Sequence, residues 1–209
     1  MTAVADFHRA LAECPLVVIL RGIRPDEAEA IAEALYEGGI RIMEVPLNSP
    51  DPLDSIALMS KRMGNRAVVG AGTVLNVAQV AAVRAAGGSL VVSPSTNIAV
   101  IEASVGAGMI SCPGYFTPSE AFAAIDAGAH ALKLFPAEAA SPAVVKAQRA
   151  VLPRAIPLLV VGGVKPEAMA PWLAAGANGF GLGSGVYVPG QSPAETLAKT
   201  LAYRAALGR

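Results

Sequence analysis

Eight short apolar runs alternate with alanine-rich amphipathic stretches along the 209 residues, and this alternation predicts a closed (β/α)8 barrel of the TIM type. Two further observations agree. Successive runs begin roughly 20–27 residues apart, about one strand, a three-turn helix and two short loops. Glycines recur just before the next run, where a helix needs a left-handed cap. An open doubly wound sheet is the alternative, but eight regular units without a long crossover favour closure. One domain over residues 1–209 is expected, and the leading segment 3–13 is expected to be an extra helix covering the bottom of the barrel.

The elements follow in order. Residues 16–20 form the first strand, and Arg21 stands at its C-terminal end. Pro25-Asp26-Glu27 opens the next helix, since proline and acidic side chains suit a first turn. Gly38-Gly39 caps it before the second strand, 41–46. The third strand, 67–71, runs toward Gly72 and Thr73. Gly87-Gly88 precedes the fourth, 89–93, and Gly106 the fifth, 109–112. Thr117-Pro118-Ser119-Glu120 starts a helix that Gly128 closes. The sixth strand, 130–135, is stopped by Pro136. The seventh, 157–161, leads into Gly162-Gly163-Val164, and Pro166-Glu167 starts the following helix. After Gly176 the eighth strand, 177–182, leads into Gly183-Ser184-Gly185.

Composition narrows the function classes. With 16 basic and 16 acidic residues there is neither a nucleic-acid footprint nor a polybasic membrane patch. The first fifteen residues carry Asp6 and Glu13 and lack a signal peptide's apolar core, and no apolar stretch reaches membrane-spanning length. A soluble cytoplasmic protein is expected. Cys14 and Cys112 form no metal-ligand spacing and no disulfide framework, and Cys112 reads as a small core residue. His8 falls on the surface of the leading helix and His130 reads as structural. With no His/Asp/Glu cluster, neither a metal nor a cofactor is expected.

Lys133 stands out, because it sits in the apolar run Ala131-Leu132-Lys133-Leu134-Phe135. Lysine is rarely buried unless paired. Burial disfavours the ammonium and yields a neutral, nucleophilic amine. Strand parity sends Leu132 and Leu134 outward beneath the helices, and Ala131, Lys133 and Phe135 inward. In the second strand Met43 and Val45 face out, so Ile42 and Glu44 face in. The second and sixth strands lie across the barrel from each other, so an acid and a lysine meet near the axis. A buried salt bridge, or a lysine that snorkels to solvent, would be the purely structural explanation. Barrel interiors normally fill with branched apolar residues, which favours a chemical role.

Arg21 and Thr73 lie at the C-terminal ends of their strands, the face where barrel enzymes build their sites. The glycines of the last two loops, Gly162, Gly163 and Gly183, let backbone N–H groups approach an anion, and Ser184 adds a hydroxyl. These loops are the usual phosphate site of a barrel enzyme.

The whole pattern resembles the class I aldolases that act on 2-keto-3-deoxy-6-phospho sugar acids. The strings that carry it are Ile19-Leu20-Arg21-Gly22, Glu44-Val45-Pro46-Leu47-Asn48-Ser49-Pro50, Gly70-Ala71-Gly72-Thr73-Val74, Leu132-Lys133-Leu134-Phe135-Pro136 and Gly181-Leu182-Gly183-Ser184. The resemblance implies that Lys133 forms a Schiff base and Glu44 moves protons. It also implies that Arg21 and Thr73 contact substrate, that Gly162, Gly163, Gly183 and Ser184 hold phosphate, and that the chain is a homotrimer. Phosphogluconate-type members look like Glu-Val-Thr-Leu-Arg-Thr-Pro in the second strand. Here Pro46 and Asn48 replace the threonine and arginine, so the chain resembles the phosphogalactonate-type branch instead. The implied reaction converts 2-dehydro-3-deoxy-6-phosphogalactonate to pyruvate and glyceraldehyde 3-phosphate in galactonate catabolism. The same cleavage of the gluconate epimer or of 4-hydroxy-2-oxoglutarate, a phosphosugar isomerase and a non-catalytic sugar-phosphate sensor are the alternatives.

Overall fold

The computed structural model describes residues 3–208. The single domain expected over 1–209 also includes Met1, Thr2 and Arg209, which lie outside the described residues. The strands are β1 (Leu16–Ile19), β2 (Ile42–Pro46), β3 (Val68–Gly72), β4 (Leu90–Val92), β5 (Ile110–Cys112), β6 (Gly114–Tyr115), β7 (Leu132–Leu134), β8 (Leu158–Val161) and β9 (Gly179–Leu182). A leading helix, α1 (Ala3–Glu13), precedes them. The helices between and after the strands are α2 (Pro25–Glu37), α3 (Pro52–Met63), α4 (Val77–Ala85), α5 (Ile98–Gly106), α6 (Pro118–Asp126), α7 (Pro142–Gln148), α8 (Met169–Ala174) and α9 (Pro193–Ala206).

Strand pairing is parallel throughout and follows the order β5-β4-β3-β2-β1-β9-β8-β7-β6. The two ends of that order, β5 and β6, are halves of one strand divided at Pro113, which has no N–H to give a ladder. Both halves stay bonded to their neighbours. Gly114 N–H donates to Ser93 O at 3.0 Å, and Lys133 N–H donates to Pro113 O at 2.9 Å. The sheet therefore closes into a barrel of eight positions, as the alternation predicts, with the fifth position in two pieces.

Alternation along the strands separates two cores. Val18, Met43, Val45, Leu132, Leu134 and Phe180 face the helices. Val17, Ile42, Val68, Leu90, Ala131 and Leu159 fill the barrel, where Phe7, Ala10 and Leu11 of α1 join them. Phe7 is fully buried, so α1 plugs the bottom as expected for segment 3–13. Two helix starts follow their sequence signals, whereas Pro166-Glu167 opens a single 3-10 turn and α8 begins only at Met169. Thr117 and Glu120 make a reciprocal capping box at α6, and proline lies in the first turns of α2 and α6.

One cap is corrected. Gly39, Gly87, Gly128 and Gly176 adopt positive φ as expected, but Gly106 is the last residue of α5, and Gly108, at φ 71°, takes the left-handed position. The helix continues to its C-cap Ala107, and only the following residue needs the freedom of glycine.

Candidate active site

The floor of the site is built by strand parity. β2 turns Glu44 inward and β7 turns Lys133 inward, and both line a narrow void with Val17, Leu90, Val92 and Cys112. Glu44 is 2 % exposed and Lys133 8 % exposed. Gly72 makes room for the acid, since a Cβ there would overlap the Glu44 carboxylate. Its N–H hydrogen-bonds the carboxyl group, while Oε2 has no partner among the described residues. Burial pushes the Glu44 pKa up to about 7, against the opposing charges of Lys133 and Arg21 and the Gly72 hydrogen bond. Burial likewise pulls Lys133 below the ordinary lysine range; Glu44 and Cys112 oppose that shift, and Arg21 adds to it.

No ion pair within 4.0 Å joins Glu44 and Lys133 among the described residues. The purely structural salt bridge is therefore not what this acid and lysine form. The Lys133 Nζ instead sits 4.7 Å from the centroid of the Phe135 ring, a contact that favours the cation and moderates the effect of burial. The pair can supply a nucleophilic amine and a carboxyl group poised to exchange protons near neutral pH. Cys112 is a buried residue, as expected, although it faces the site rather than the helix layer. Burial pushes its thiol up to about 12, so it is an uncharged wall.

Above the floor a cleft of about 640 Å³ opens. Arg21, Gly162, Gly163, Lys165, Gly183 and Ser184 line it. Ile19, Val161 and Gly181 line both cleft and void, so the two spaces share a wall. Gly162 and Gly163 have φ of 125° and 58°, conformations that favour glycine. They also carry a packing role that the sequence does not reveal. A Cβ at Gly162 would overlap the Glu138 carboxylate, and one at Gly163 would lie 3.1 Å from Glu138 Cγ and Oε1. At Gly183 an added Cβ would meet nothing within 4 Å, so the backbone there is open to the cleft.

The first two loops are cross-tied. Arg21 Nη1 donates to Asn48 Oδ1 at 2.6 Å, and Gly22 N–H donates to Ser49 Oγ at 2.9 Å. Asn48 thus holds the arginine rather than merely replacing a cation. Thr73 follows Gly72 beside the Glu44 carboxyl and is held at φ 56°, a strained conformation for a β-branched residue. It is not among the residues lining the cleft. Sequence reasoning placed Lys133, Glu44, Arg21, Gly162, Gly163, Gly183 and Ser184 at one end of the barrel, and the fold brings them into the cleft and the void beneath it. It missed Gly72 and Glu138 as shapers of the site, and it did not show that Asn48 holds Arg21 or that the Phe135 ring meets Lys133. His8 is exposed, and His130 Nδ1 accepts from Ser111 N–H at 3.2 Å, a structural role. Among the described residues no group of three or more His, Cys, Asp or Glu assembles as a metal site, and no helix is long and apolar enough to cross a membrane.

Known proteins share both the sequence and the architecture. The family model for KDPG and KHG aldolases matches residues 7–198. The 2-dehydro-3-deoxy-6-phosphogalactonate aldolase of Escherichia coli (strain K12) is 47% identical over 189 residues, 90% of this chain and 92% of that protein. A solved structure described as native KDPGal has a TM-score of 0.92 at 46% identity, over 94% of this chain and 95% of its own. A KDPG aldolase from Legionella pneumophila, with pyruvate captured as a covalent carbinolamine intermediate, has a TM-score of 0.83 at 26% identity, over 98% of each chain. The chain is an aldolase, hence a lyase, and it belongs to the KDPG and KHG aldolase family.

Proposed function

We propose that this chain is a class I aldolase that cleaves 2-dehydro-3-deoxy-6-phosphogalactonate to pyruvate and glyceraldehyde 3-phosphate, as a step of galactonate catabolism. The observation that carries this reading is the floor: an amine of lowered pKa and a carboxyl group with pKa about 7, buried together beneath a glycine-lined cleft. The covalent carbinolamine that pyruvate forms in the Legionella relative supports covalent chemistry with pyruvate in this chain.

In the proposed mechanism neutral Lys133 adds to the C2 ketone. Glu44 as the acid assists loss of the carbinolamine hydroxyl as water, leaving an iminium. Base-assisted removal of the C4 hydroxyl proton breaks the C3–C4 bond. The aldehyde departs, and the electron pair moves into an enamine. Protonation at C3 and hydrolysis then return pyruvate and the free amine. Arg21 contacts substrate near the floor, while Gly162, Gly163, Gly183 and Ser184 hold the phosphate at the rim. Thr73 lines neither cleft nor void, so its expected substrate contact is the part of this reading with least support.

The choice of C4 epimer rests on Pro46 and Asn48 and on the name of the Escherichia coli relative. A paired assay with the galactonate and gluconate epimers tests it. A higher kcat/KM on the gluconate epimer would move the chain to the phosphogluconate branch. Failure of borohydride to trap an imine with pyruvate would favour an isomerase instead.

The assembly we infer is a homotrimer. Leu75, Val77, Ile98, Phe116 and Phe122 are exposed apolar residues on successive βα units, linked by the Asn97 Nδ2 hydrogen bond to Leu75 O at 3.2 Å. A second copy covering this face removes apolar surface from water. Sedimentation should give trimer for the parent chain and smaller species for Phe122→Glu. A monomeric parent sinks the assignment.

A further inference from the structure

We propose that Lys165 supplies the cation for the phosphate end of the substrate, leaving Arg21 to the carboxylate end. This rests on the reading of the substrate as a phosphorylated sugar acid. Such a molecule carries a carboxylate at C1 and a phosphate at C6. Among the described residues that line the cleft two are charged, Arg21 and Lys165, and both are cationic.

Their surroundings assign them to opposite ends. The Arg21 guanidinium is tied to Asn48 at the end of β2, and its charge is felt at Glu44 and Lys133 on the floor. Lys165 stands two residues beyond Gly163, on the loop that shapes the glycine cradle. Its backbone is extended, φ −97° and ψ 158°, as the following proline requires, which fixes where its stem leaves the chain. Among the described residues Lys165 enters no ion pair within 4.0 Å, whereas Arg24, Arg41, Arg62 and Arg66 each hold a carboxylate.

The cradle also needs a cation. Its donors are neutral N–H groups and one hydroxyl, and the Glu138 side chain packs directly on Gly162 and Gly163. A carboxylate there weakens attraction for a dianion, and a nearby ammonium offsets it.

The test compares the parent with Lys165→Met, which keeps the stem length, and with Lys165→Arg. For each, kcat and KM are measured with the phosphorylated and unphosphorylated acids at low and high ionic strength. The inhibition constant of inorganic phosphate is measured alongside. At low ionic strength Lys165→Met should raise KM for the phosphorylated acid and the phosphate inhibition constant about 5–20-fold, with kcat within about twofold of the parent. Lys165→Arg should recover most of the loss, and the salt dependence of KM should flatten in Lys165→Met. Unchanged phosphate inhibition, or equal losses on both acids, overturns the role of Lys165. If the parent cleaves both acids with equal kcat/KM, the phosphate reading itself fails and Lys165 with it. A parent that prefers the phosphorylated acid, with the preference intact in Lys165→Met, removes Lys165 alone.

Discussion

The floor and the rim of this barrel solve different problems with different parts of the chain. On the floor, Glu44 and Lys133 are side chains on strands, fixed by parity, almost wholly buried and shifted toward neutrality by their burial. At the rim, the glycine turns and the exposed Ser184 line an open cleft. Reactivity is set where solvent is excluded, because burial changes the charge state of a group. Recognition of a strongly hydrated anion is set where donors remain accessible. A substitution on the floor should therefore strike turnover, and one at the rim should strike affinity.

The sharpest test removes the floor's nucleophile. Lys133→Met should abolish borohydride trapping of pyruvate and lower cleavage on the order of 10⁴-fold or more. Peptide mapping of the parent should find the adduct at Lys133, and an adduct at Lys61, Lys146, Lys165 or Lys199 would falsify the assignment. Glu44→Gln should retain some imine formation while turnover falls on the order of 10²–10⁴-fold. Near-normal turnover would leave Glu44 as a structural neighbour only.

The same acid predicts a pH signature. Its pKa stands above the value of 4.5 it has when exposed, so the folded state binds the proton more tightly than the unfolded chain does. Its contribution to stability is complete below pH 4.5 and is lost as pH rises through about 7. The rise from 4.5 to about 7 corresponds to about 3 kcal/mol. Denaturant titrations should show Glu44→Gln gaining about that much on the parent between acidic pH and pH 8. A pH-independent difference would mean that Glu44 is not shifted. The smallest effect belongs to the rim. Ser184→Ala should raise KM for the phosphorylated acid about 3–10-fold with little change in kcat, as expected for one lost hydrogen bond. A fall in kcat with KM unchanged would erase the division between floor and rim.

Much of the floor was legible in the sequence because strand periodicity is rigid. Once the runs around Glu44 and Lys133 read as strands, a period of two left little choice about where those side chains point. The eight-unit alternation was legible for the same reason. Contacts between loops distant in sequence were not. Nothing local shows that Asn48 holds Arg21, or that Glu138 lies on Gly162 and Gly163. That packing changes how the glycines are tested, since Gly163→Val strikes both the cradle and Glu138, whereas Ser184→Ala removes a donor alone. The division of the fifth strand at Pro113 was hidden too, because the apolar run gives no sign that pairing resumes beyond the proline. Gly106 reads as the cap, yet Gly108 two residues on takes that place, because hydrophobic pattern does not fix a helix end that closely.

The helix that stoppers the bottom of the barrel fixes the direction of traffic. With Phe7 wedged beneath the void, the bottom of the chamber is stoppered, and the cleft lies at the opposite face. On the proposed roles of floor and rim, a six-carbon acid enters with its keto end leading and its phosphate trailing at the threshold. If Lys133 bonds the substrate as proposed, the three-carbon fragment left on it after cleavage is innermost and the phosphorylated aldehyde stands between it and the rim. On the proposed chemistry the aldehyde is first out and pyruvate last, because the pyruvate carbons stay bonded to Lys133 until hydrolysis, and the stoppered barrel sends both out past the same rim.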